Sequence, residues 1–397
     1  MNAAEIGPVQ PGGQNQSSLD LFLIFVGANV VATTFQVGAS LASSFTIRTS
    51  MLLILAGSAA GAALVAALAP IGSRLRVPSV IAARPALGIR GAGLVAVVLY
   101  VSNFAWIALN NVIAASASSR AAGTAALLGA TGSQAAWAVA LGVLATAIVW
   151  HGPSAVARAD RVAVPLLAVV AVSLTVACAR ATRGLAAAPV ATMSWARGLD
   201  VVIGYQVSWI LMFADYSRYT RSPRGSATAV FLGLALTSAW MMPLGAIAAR
   251  VAGSTDPGAM LSAVGLGAAG AVLLTIATLT TNFVNIYMSS LAWKSLFPRA
   301  RDGTVVWSIG LVGTALGAIP GVWLEQYTNF TMALGAVLVP VGGVLIAHYY
   351  FSRGNPIGEA LIVELYDTTG RFRGVDAAGV LAWAAGGIVF FAAGSAG

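Results

Sequence analysis

Charged side chains are scarce in this sequence. Only 8% of the 397 residues are Asp, Glu, Lys or Arg, and 58% are hydrophobic, whereas a soluble domain has roughly 25% charged residues. The mean hydropathy is +0.87. Water therefore cannot be the solvent for most of the chain, which excludes an ordinary soluble protein.

Residues that commonly carry chemistry are also few. The single cysteine, Cys178, excludes an intramolecular disulfide. His151 and His348 have no carboxylate at ligand spacing, so they predict neither a metal site nor an acid–base pair. The chain has no P-loop motif and no recognisable set of nucleophile, base and orienting group, which excludes the usual ATP-driven pump and a membrane hydrolase. We therefore expect no enzyme, and no cofactor beyond a coupling ion.

The sequence does contain long apolar runs. Runs of about 18 residues or more predict membrane-spanning helices, because a helix satisfies its own backbone hydrogen bonds in lipid. We number eleven candidate spans, at 20–44, 51–72, 92–118, 134–151, 162–180, 198–217, 228–251, 264–293, 304–323, 329–351 and 377–396.

The polar segments between the runs set the expected orientation. Residues 1–18 are polar, lack Lys and Arg and carry no short apolar core, so they predict no cleavable signal. Most Lys and Arg residues fall in loops on the side of the N-terminus, which predicts that this side is cytoplasmic, in a bacterial-type inner or plasma membrane. The net charge of +9 then reflects loop arginines near anionic lipid headgroups and predicts no nucleic-acid partner.

Two spans carry glycine and polar residues at mid-depth. They are the segment Thr33–Ser40 in span 1 and the segment Gly204–Ser208 in span 6. The two spans are five apart, which is typical of a five-helix inverted repeat whose first helices unwind to form a midplane site. The alternative is that these residues only permit close helix packing. We favour the site, with helices interrupted near Phe35–Ser40 and Gly204–Gln206.

The predicted domain organisation follows from this repeat. The fold class is an all-α membrane protein with a ten-helix inverted-repeat core, in which helices 1 and 6 are broken, and one further C-terminal helix. Its parts are a cytoplasmic tail at 1–18, a first repeat at 19–180, a second repeat at 196–353, a cytoplasmic loop at 354–376 and helix 11 at 377–397.

Span 3 carries an aromatic residue flanked by amides. Trp106 and Asn110 are four residues apart and share one helix face, and Asn103 lies three residues before Trp106 on the same side. An indole stacks on a planar heteroaromatic ring while carboxamides donate to and accept from its edge. The alternatives are that the asparagines join helices and that the tryptophan anchors the membrane interface.

Span 8 carries neutral oxygen atoms at mid-depth. Thr280 and Thr281 are followed by Asn282 and Asn285. Such oxygens, beside carbonyls freed by a broken helix, suit a dehydrated Na⁺. The alternative is that the threonine hydroxyls bond to carbonyls of their own helix.

Six short motifs occur in a characteristic order along the chain. They are Arg84–Gly91 after span 2, Trp106 in span 3, Ala214–Tyr219 closing span 6, Thr280–Asn282 in span 8, Pro340–Gly343 in span 10 and Tyr366–Gly374 before span 11. Over nearly the whole chain, their order and spacing resemble the nucleobase:cation symporter family, the permeases of cytosine, purines, uracil, allantoin and hydantoins. The cytosine and purine branch looks most similar.

The resemblance implies a core like that of sodium-coupled amino-acid transporters and a role for individual residues. Trp106 would stack on the base, and relatives carry a second aromatic residue where this chain has Gln206, so Tyr205 or Trp209 would take that place. The implied substrate-binding residues are Gln36, Asn103, Trp106, Asn110, Tyr205, Gln206, Asn282 and Asn285. The implied cation-binding residues are Val31, Thr34, Ala277, Thr280 and Thr281. Na⁺ at this site is the only metal ion expected.

These expectations lead to a functional prediction. The chain would be a symporter that carries a neutral nucleobase, such as cytosine or a purine, with a cation by alternating access. We favour Na⁺ over H⁺, because a proton-coupled carrier generally needs an ionisable group inside the membrane. The alternatives are a carrier of a vitamin precursor such as hydroxymethylpyrimidine or thiamine, and a passive channel. The expected partners are the solute, the cation and the lipid bilayer.

Overall fold

The computed structural model describes residues 7–395, apart from residues 11, 182–184, 186–188, 190–191, 298, 320 and 353–356. Residues 1–6 of the predicted tail and residues 396–397 of the predicted last helix lie outside the described residues. The described part is helical, with one isolated β-bridge between Gln16 and Thr220.

Helices occupy all eleven predicted positions. Span 1 is divided into Ser18–Asn29 and Ala32–Ala42, and span 6 into Trp195–Val207, a 3₁₀-helix at Ser208–Met212 and Phe213–Ser217. The other spans are, in order, Ile47–Leu75, Arg84–Ala122, Ala125–Trp150, Pro153–Arg180, Pro223–Ala252, Gly267–Leu296, Asp302–Gly317, Tyr327–Ile346 and Ala377–Ser395. Short helices lie at Ser79–Ala82, Pro257–Ala263, Val322–Glu325 and Glu359–Tyr366.

Polar caps begin several of these helices. Ser17 and Asp20 form a capping box, in which the Asp20 backbone N–H donates to Ser17 Oγ (3.1 Å) and the Ser17 backbone N–H donates to the Asp20 carboxylate (2.8 Å). Thr46 caps span 2 by accepting from the backbone N–H of Thr49 at 3.2 Å. These side chains satisfy backbone donors that the first turn of a helix leaves unpaired, so they fix where each helix starts.

Seven of the described helices are each long and apolar enough to cross a membrane. The two helices of span 1, bent by 55° at their break, add an eighth crossing when they are taken as one. Span 6 falls short because it is broken, span 9 has 16 helical residues, and the apolar helix of span 11 covers Ala377–Ala393. The chain is an integral, multi-pass membrane protein.

The breaks in spans 1 and 6 are present, but their predicted positions are wrong. Span 1 is interrupted at Val30 and Val31, whereas Phe35–Ser40 is regular helix. Span 6 leaves α-helical geometry at Ser208–Met212, whereas Gly204–Gln206 is regular helix. Each break lies about one turn away from the predicted segment.

The glycines that suggested breaks serve close packing instead. A Cβ atom at Gly38 would lie 1.7 Å from the carbonyl oxygen of Met242 in span 7. A Cβ atom at Gly204 would lie 1.9 Å from the carbonyl oxygen of Thr331 in span 10. Small residues let membrane helices approach closely, so the packing alternative is correct for these two positions.

Most of the helices pack in two groups, and the broken spans 1 and 6 belong to the first. Span 7 packs along spans 1 and 2, and span 2 also packs along span 6. Span 3 packs along spans 4, 8 and 9. Span 10 packs against span 6 and span 11 against span 10. The second half of span 1 also contacts spans 3 and 8 of the other group, which is made of spans 3, 4, 8 and 9.

Candidate functional site

The break in span 1 is held by the asparagine that precedes it. Val30 and Val31 leave helical geometry, with ψ angles of 70° and 166°. The side-chain amide of Asn29 donates to Thr237 Oγ1 on span 7 at 2.7 Å, and the Asn29 carbonyl accepts from Thr34 Oγ1 at 2.6 Å. Side-chain bonds to backbone compete with the helical pattern. They stabilise the interruption and tie it to span 7.

Tyr205 connects the two broken spans. Its hydroxyl oxygen lies 2.5 Å from Thr34 Oγ1, and its ring meets Trp106 edge-on, with centroids 5.7 Å apart and planes at 85°. Phe330 of span 10 also meets Trp106 edge-on, at 5.0 Å. Edge-on aromatic pairs are favoured by the ring quadrupole, so two neighbours hold the buried Trp106 in one orientation.

A cavity of about 500 Å³ lies beside this aromatic group. Its walls come from span 1 between Leu23 and Thr33, from spans 5, 6 and 8, and from span 3 at Trp106. Its described lining residues include no acidic, basic or histidine side chain. Six of the predicted site residues line it: Val31, Trp106, Tyr205, Thr280, Thr281 and Asn285.

Asn285 is the one carboxamide among the described lining residues. It is 6% exposed, and its Nδ2 atom has no hydrogen-bond partner in the described part of the chain. Buried amide groups in native proteins nearly always have a partner. Asn285 therefore leaves one amide donor unsatisfied in the wall of the cavity.

The two threonines of span 8 bond to their own helix. Thr281 Oγ1 donates to the Ala277 carbonyl at 2.7 Å, and Thr280 Oγ1 donates to the same carbonyl at 3.0 Å. A hydroxyl that donates in this way keeps oxygen lone pairs free. The two threonines and Val31, in the break of span 1, border one cavity. The threonine bonds to the Ala277 carbonyl are therefore compatible with the predicted cation site. The described residues include no group of His, Cys, Asp and Glu that could hold a metal ion.

Three predicted residues of spans 1 and 6 lie outside the lining. Gln36 Nε2 donates to the Thr255 carbonyl in the loop after span 7 at 3.0 Å. Gln206 Nε2 donates to Ser238 Oγ on span 7 at 3.1 Å. Thr34 bonds to the Asn29 carbonyl and to Tyr205 as described above. These side chains join broken helices to their neighbours.

Three predicted asparagines, on spans 3 and 8, also lie outside the lining. Asn110 Nδ2 donates to the Trp106 carbonyl of its own helix at 2.9 Å. Asn282 Nδ2 donates to Asn111 Oδ1 on span 3 at 2.9 Å. Asn103 is buried, and both polar atoms of its side chain lack a partner among the described residues. The seventh residue outside the lining, Ala277, is buried and contributes its carbonyl as an acceptor.

Sequence reasoning missed Asn29 and Asn111, whose amides hold the first break and join span 3 to span 8. A buried amide inside an apolar run was the available signal, since such groups cost free energy in lipid unless they are bonded. It also missed Thr33, which lines the cavity and whose carbonyl accepts from Tyr327 Oη at 2.8 Å.

Contacts join the loop after span 7 to its neighbours on the side of the membrane away from the N-terminus. There Asp256, in the loop after span 7, accepts from the hydroxyl of Ser116 and pairs with Arg120, both on span 3. Gln36 adds its bond to Thr255 at this face. Of the eleven lining residues on spans 1 and 6, five lie between the breaks and the N-terminal face, four lie in the breaks and two lie on the far side of them. The cavity therefore extends towards the N-terminal face.

Comparisons with known proteins identify relatives of this chain. A family model described as a permease for cytosine/purines, uracil, thiamine and allantoin matches residues 8–396. The cytosine permease of Escherichia coli strain K12 is 24% identical over 353 residues, which cover 87% of this chain and 81% of the relative. The cytosine permease of Escherichia coli O157:H7 gives the same figures.

Solved structures show the same fold. Mhp1 in an inward facing conformation has a TM-score of 0.83 and 19% identity, covering 98% of this chain and 91% of its own. Mhp1 in a closed conformation with bromovinylhydantoin bound has a TM-score of 0.76 and 20% identity, covering 98% and 93%. MhsT in complex with L-phenylalanine has a TM-score of 0.59 and 15% identity, covering 87% and 97%. The predicted fold class is confirmed. The chain belongs to the family of permeases for cytosine and purines, uracil, thiamine and allantoin, and it is a transport protein and not an enzyme.

Proposed function

We propose that this permease is a symporter that carries a neutral nucleobase, of the cytosine or purine type, together with Na⁺ by alternating access. The observation that carries the proposal is one cavity in which an oriented indole, Trp106, and an unsatisfied amide donor, Asn285, lie beside the break of span 1. Stacking on the indole and a hydrogen bond at the ring edge together select a planar heteroaromatic solute.

The lining supports an uncharged solute. The described lining residues offer aromatic, aliphatic, hydroxyl and amide groups and no formal charge, and burying an unpaired charge there would be costly. The relatives named cytosine permease and the bromovinylhydantoin held by Mhp1 support the same solute class.

The coupling ion is assigned from the oxygens at the cavity. Thr280 and Thr281 offer hydroxyl lone pairs at the cavity. The backbone at Val31 is non-helical, which is the state in which a backbone carbonyl can bind an ion. No described lining residue can take up and release a proton in the physiological range. These two facts favour Na⁺ over H⁺.

Contacts at one face support a carrier over a channel. Asp256 and its partners on span 3 join the loop after span 7 to its neighbours at the far face, while the cavity extends towards the N-terminal face. A channel would need a path through both faces at once. The described conformation is thus one that exchanges solute with the N-terminal side.

Uptake into proteoliposomes tests the whole proposal. Radiolabelled cytosine and hypoxanthine are offered under an imposed Na⁺ gradient alone and under a pH gradient alone. We expect accumulation under the Na⁺ gradient. Uptake driven only by the pH gradient would refute Na⁺ coupling.

A binding screen of the purified protein tests the solute class. Thermal unfolding is measured with bases, thiamine and hydroxymethylpyrimidine, with and without Na⁺, because a ligand of the native state raises its stability. We expect the largest shift from a base in Na⁺. A rise of the unfolding midpoint only with a vitamin precursor would identify that precursor as the solute instead of a nucleobase. Equal midpoint shifts with and without Na⁺ would show that solute binding does not depend on the cation.

A further inference from the structure

A second, smaller cavity lies where span 4 ends. Spans 1 to 4 bring the chain back to the side of the N-terminus, so this cavity lies at the N-terminal face. Its volume is about 300 Å³, and its described lining residues come from the end of span 4 and the first turns of span 5: Ala147, Ile148, His151, Ala155, Arg158 and Ala159. None of them lines the cavity beside Trp106. This corner pocket is therefore separate from the solute site.

The corner pocket forms where two helices meet at a tight turn. Span 4 ends at Trp150 and span 5 begins at Pro153. Gly152 between them has a φ angle of 88°, which glycine adopts without strain. The lining residues Ala147, Ala155 and Ala159 are small, so they leave a space between the two helices that larger side chains would fill.

Two exposed polar side chains, His151 and Arg158, line the corner pocket. His151 Nδ1 lies 2.7 Å from the Ala147 carbonyl oxygen and therefore carries the hydrogen, which leaves Nε2 of the neutral ring as an acceptor. The described lining includes no acidic residue, and in the described part of the chain no ion pair engages Arg158. The pocket thus offers an unpaired cation beside a hydrogen-bond acceptor.

The segments around the corner pocket are basic. Residues 151–161 and 294–302 contain five arginines or lysines and two aspartates, and one of these aspartates, Asp302, is paired with Lys294. The two segments are neighbours, because the ring of Trp150 at the end of span 4 lies 6.2 Å from the ring of Trp307 in span 9, between centroids. A basic surface of this kind attracts an anion.

Exposed apolar side chains continue from the corner pocket into the membrane. Leu144 lies one turn from Ile148 on span 4, and Val162 lies one turn from Arg158 on span 5, both on the membrane side of the pocket. Leu144 is 47% exposed and Val162 is 66% exposed. A ligand that places an anionic group in the pocket and apolar chains along these residues is an anionic phospholipid.

We propose that the corner pocket binds the headgroup of an anionic phospholipid of the phosphatidylglycerol type. The Arg158 guanidinium donates charge-assisted hydrogen bonds to the phosphate, as in other basic pockets between membrane helices. His151 Nε2 accepts a hydrogen bond from a hydroxyl of the glycerol headgroup. Phosphatidylcholine has no such hydroxyl, and Arg158 repels its ammonium group. This site does not depend on the identity of the transported solute.

Native mass spectrometry of the purified full-length protein tests the site. The protein in detergent is titrated with phosphatidylglycerol or with phosphatidylcholine, and the fraction that carries one lipid gives a Kd. We expect tighter binding of phosphatidylglycerol. Arg158→Gln should raise the Kd for phosphatidylglycerol about fivefold, and His151→Ala about twofold to tenfold. Neither variant should change the Kd for phosphatidylcholine.

Arg224→Gln is the matched control, because Arg224 is an exposed arginine of the N-terminal face, at the start of span 7, that does not line the corner pocket. It should leave the Kd for phosphatidylglycerol unchanged. An equal rise in Arg224→Gln and Arg158→Gln would overturn the site, because it would show attraction to the whole face. An unchanged Kd in both Arg158→Gln and His151→Ala would overturn it as well.

Competition with sn-glycerol 1-phosphate separates a lipid from a soluble phosphate. This compound carries the same phosphate and glycerol groups without acyl chains. We expect it to leave phosphatidylglycerol bound when the two are present at equal concentration. Displacement of the lipid under that condition, lost in Arg158→Gln, would overturn the lipid assignment in favour of a soluble phosphate ester.

Discussion

Replacing Trp106 by alanine should weaken binding of the solute strongly. Stacking of a base on an aromatic side chain contributes about 1–3 kcal/mol. Since about 1.4 kcal/mol corresponds to a factor of ten, Trp106→Ala should raise the Kd for the preferred base about 5-fold to 150-fold. Trp106→Phe keeps a smaller ring in place and should raise Kd by less than the alanine change.

The structure supplies two controls for this change. Phe330→Ala removes an edge-on neighbour of Trp106 worth about 0.5–1.5 kcal/mol, but leaves the indole, so its effect on Kd should be smaller. Trp293→Ala removes a tryptophan that stacks on Tyr100 and lies outside the cavity lining. It should lower the thermal stability and leave Kd unchanged.

Equilibrium binding of tritiated cytosine to purified protein in Na⁺ is the assay for all four variants, after each has been shown to be monodisperse. If the base stacks on the indole, affinity increases from Trp106→Ala to Trp106→Phe to wild type. A folded Trp106→Ala protein with a Kd within about twofold of wild type would show that the base does not stack on the indole.

Three further predictions follow from the site and its packing. Thr281→Val keeps the side-chain shape but removes one oxygen, so the Na⁺ concentration for half-maximal uptake should rise about tenfold. The control Thr278→Val, outside the lining, should leave that concentration unchanged, and the same concentration for both variants would remove Thr281 from the cation site. Asp256→Ala removes the contacts with span 3, so a cysteine that replaces Ser40 should react faster with an impermeant maleimide added on the side away from the N-terminus. An unchanged reaction rate would show that these contacts do not close that face. Gly38→Ala places a Cβ atom against the span 7 backbone, so it should destabilise the protein by about 1–3 kcal/mol and lower the unfolding midpoint. The control Gly343→Ala meets nothing within 4 Å and should leave the midpoint unchanged, and equal midpoints for the two variants would contradict the close packing.

The sequence alone determined the helices and their membrane setting. Lipid offers no hydrogen bonds, so each crossing requires an apolar helix of about 20 residues. A run of this length and composition can be recognised from the local sequence. Helices lie at all eleven predicted positions, including span 9, whose 16 residues are short for a crossing. The broken character of spans 1 and 6, and the family, also followed from motifs and their spacing.

Tertiary structure alone decided where the helices break and which amides border the cavity. Span 1 opens at Val30 because Asn29 bonds to span 7, a contact between residues about 200 positions apart. Asn282 and Asn285 are three residues apart on one helix, yet Asn282 bonds to span 3 and only Asn285 lines the cavity. Helical periodicity fixes which residues share a face, but the neighbour that covers each part of the face is set by long-range packing, which local sequence does not encode.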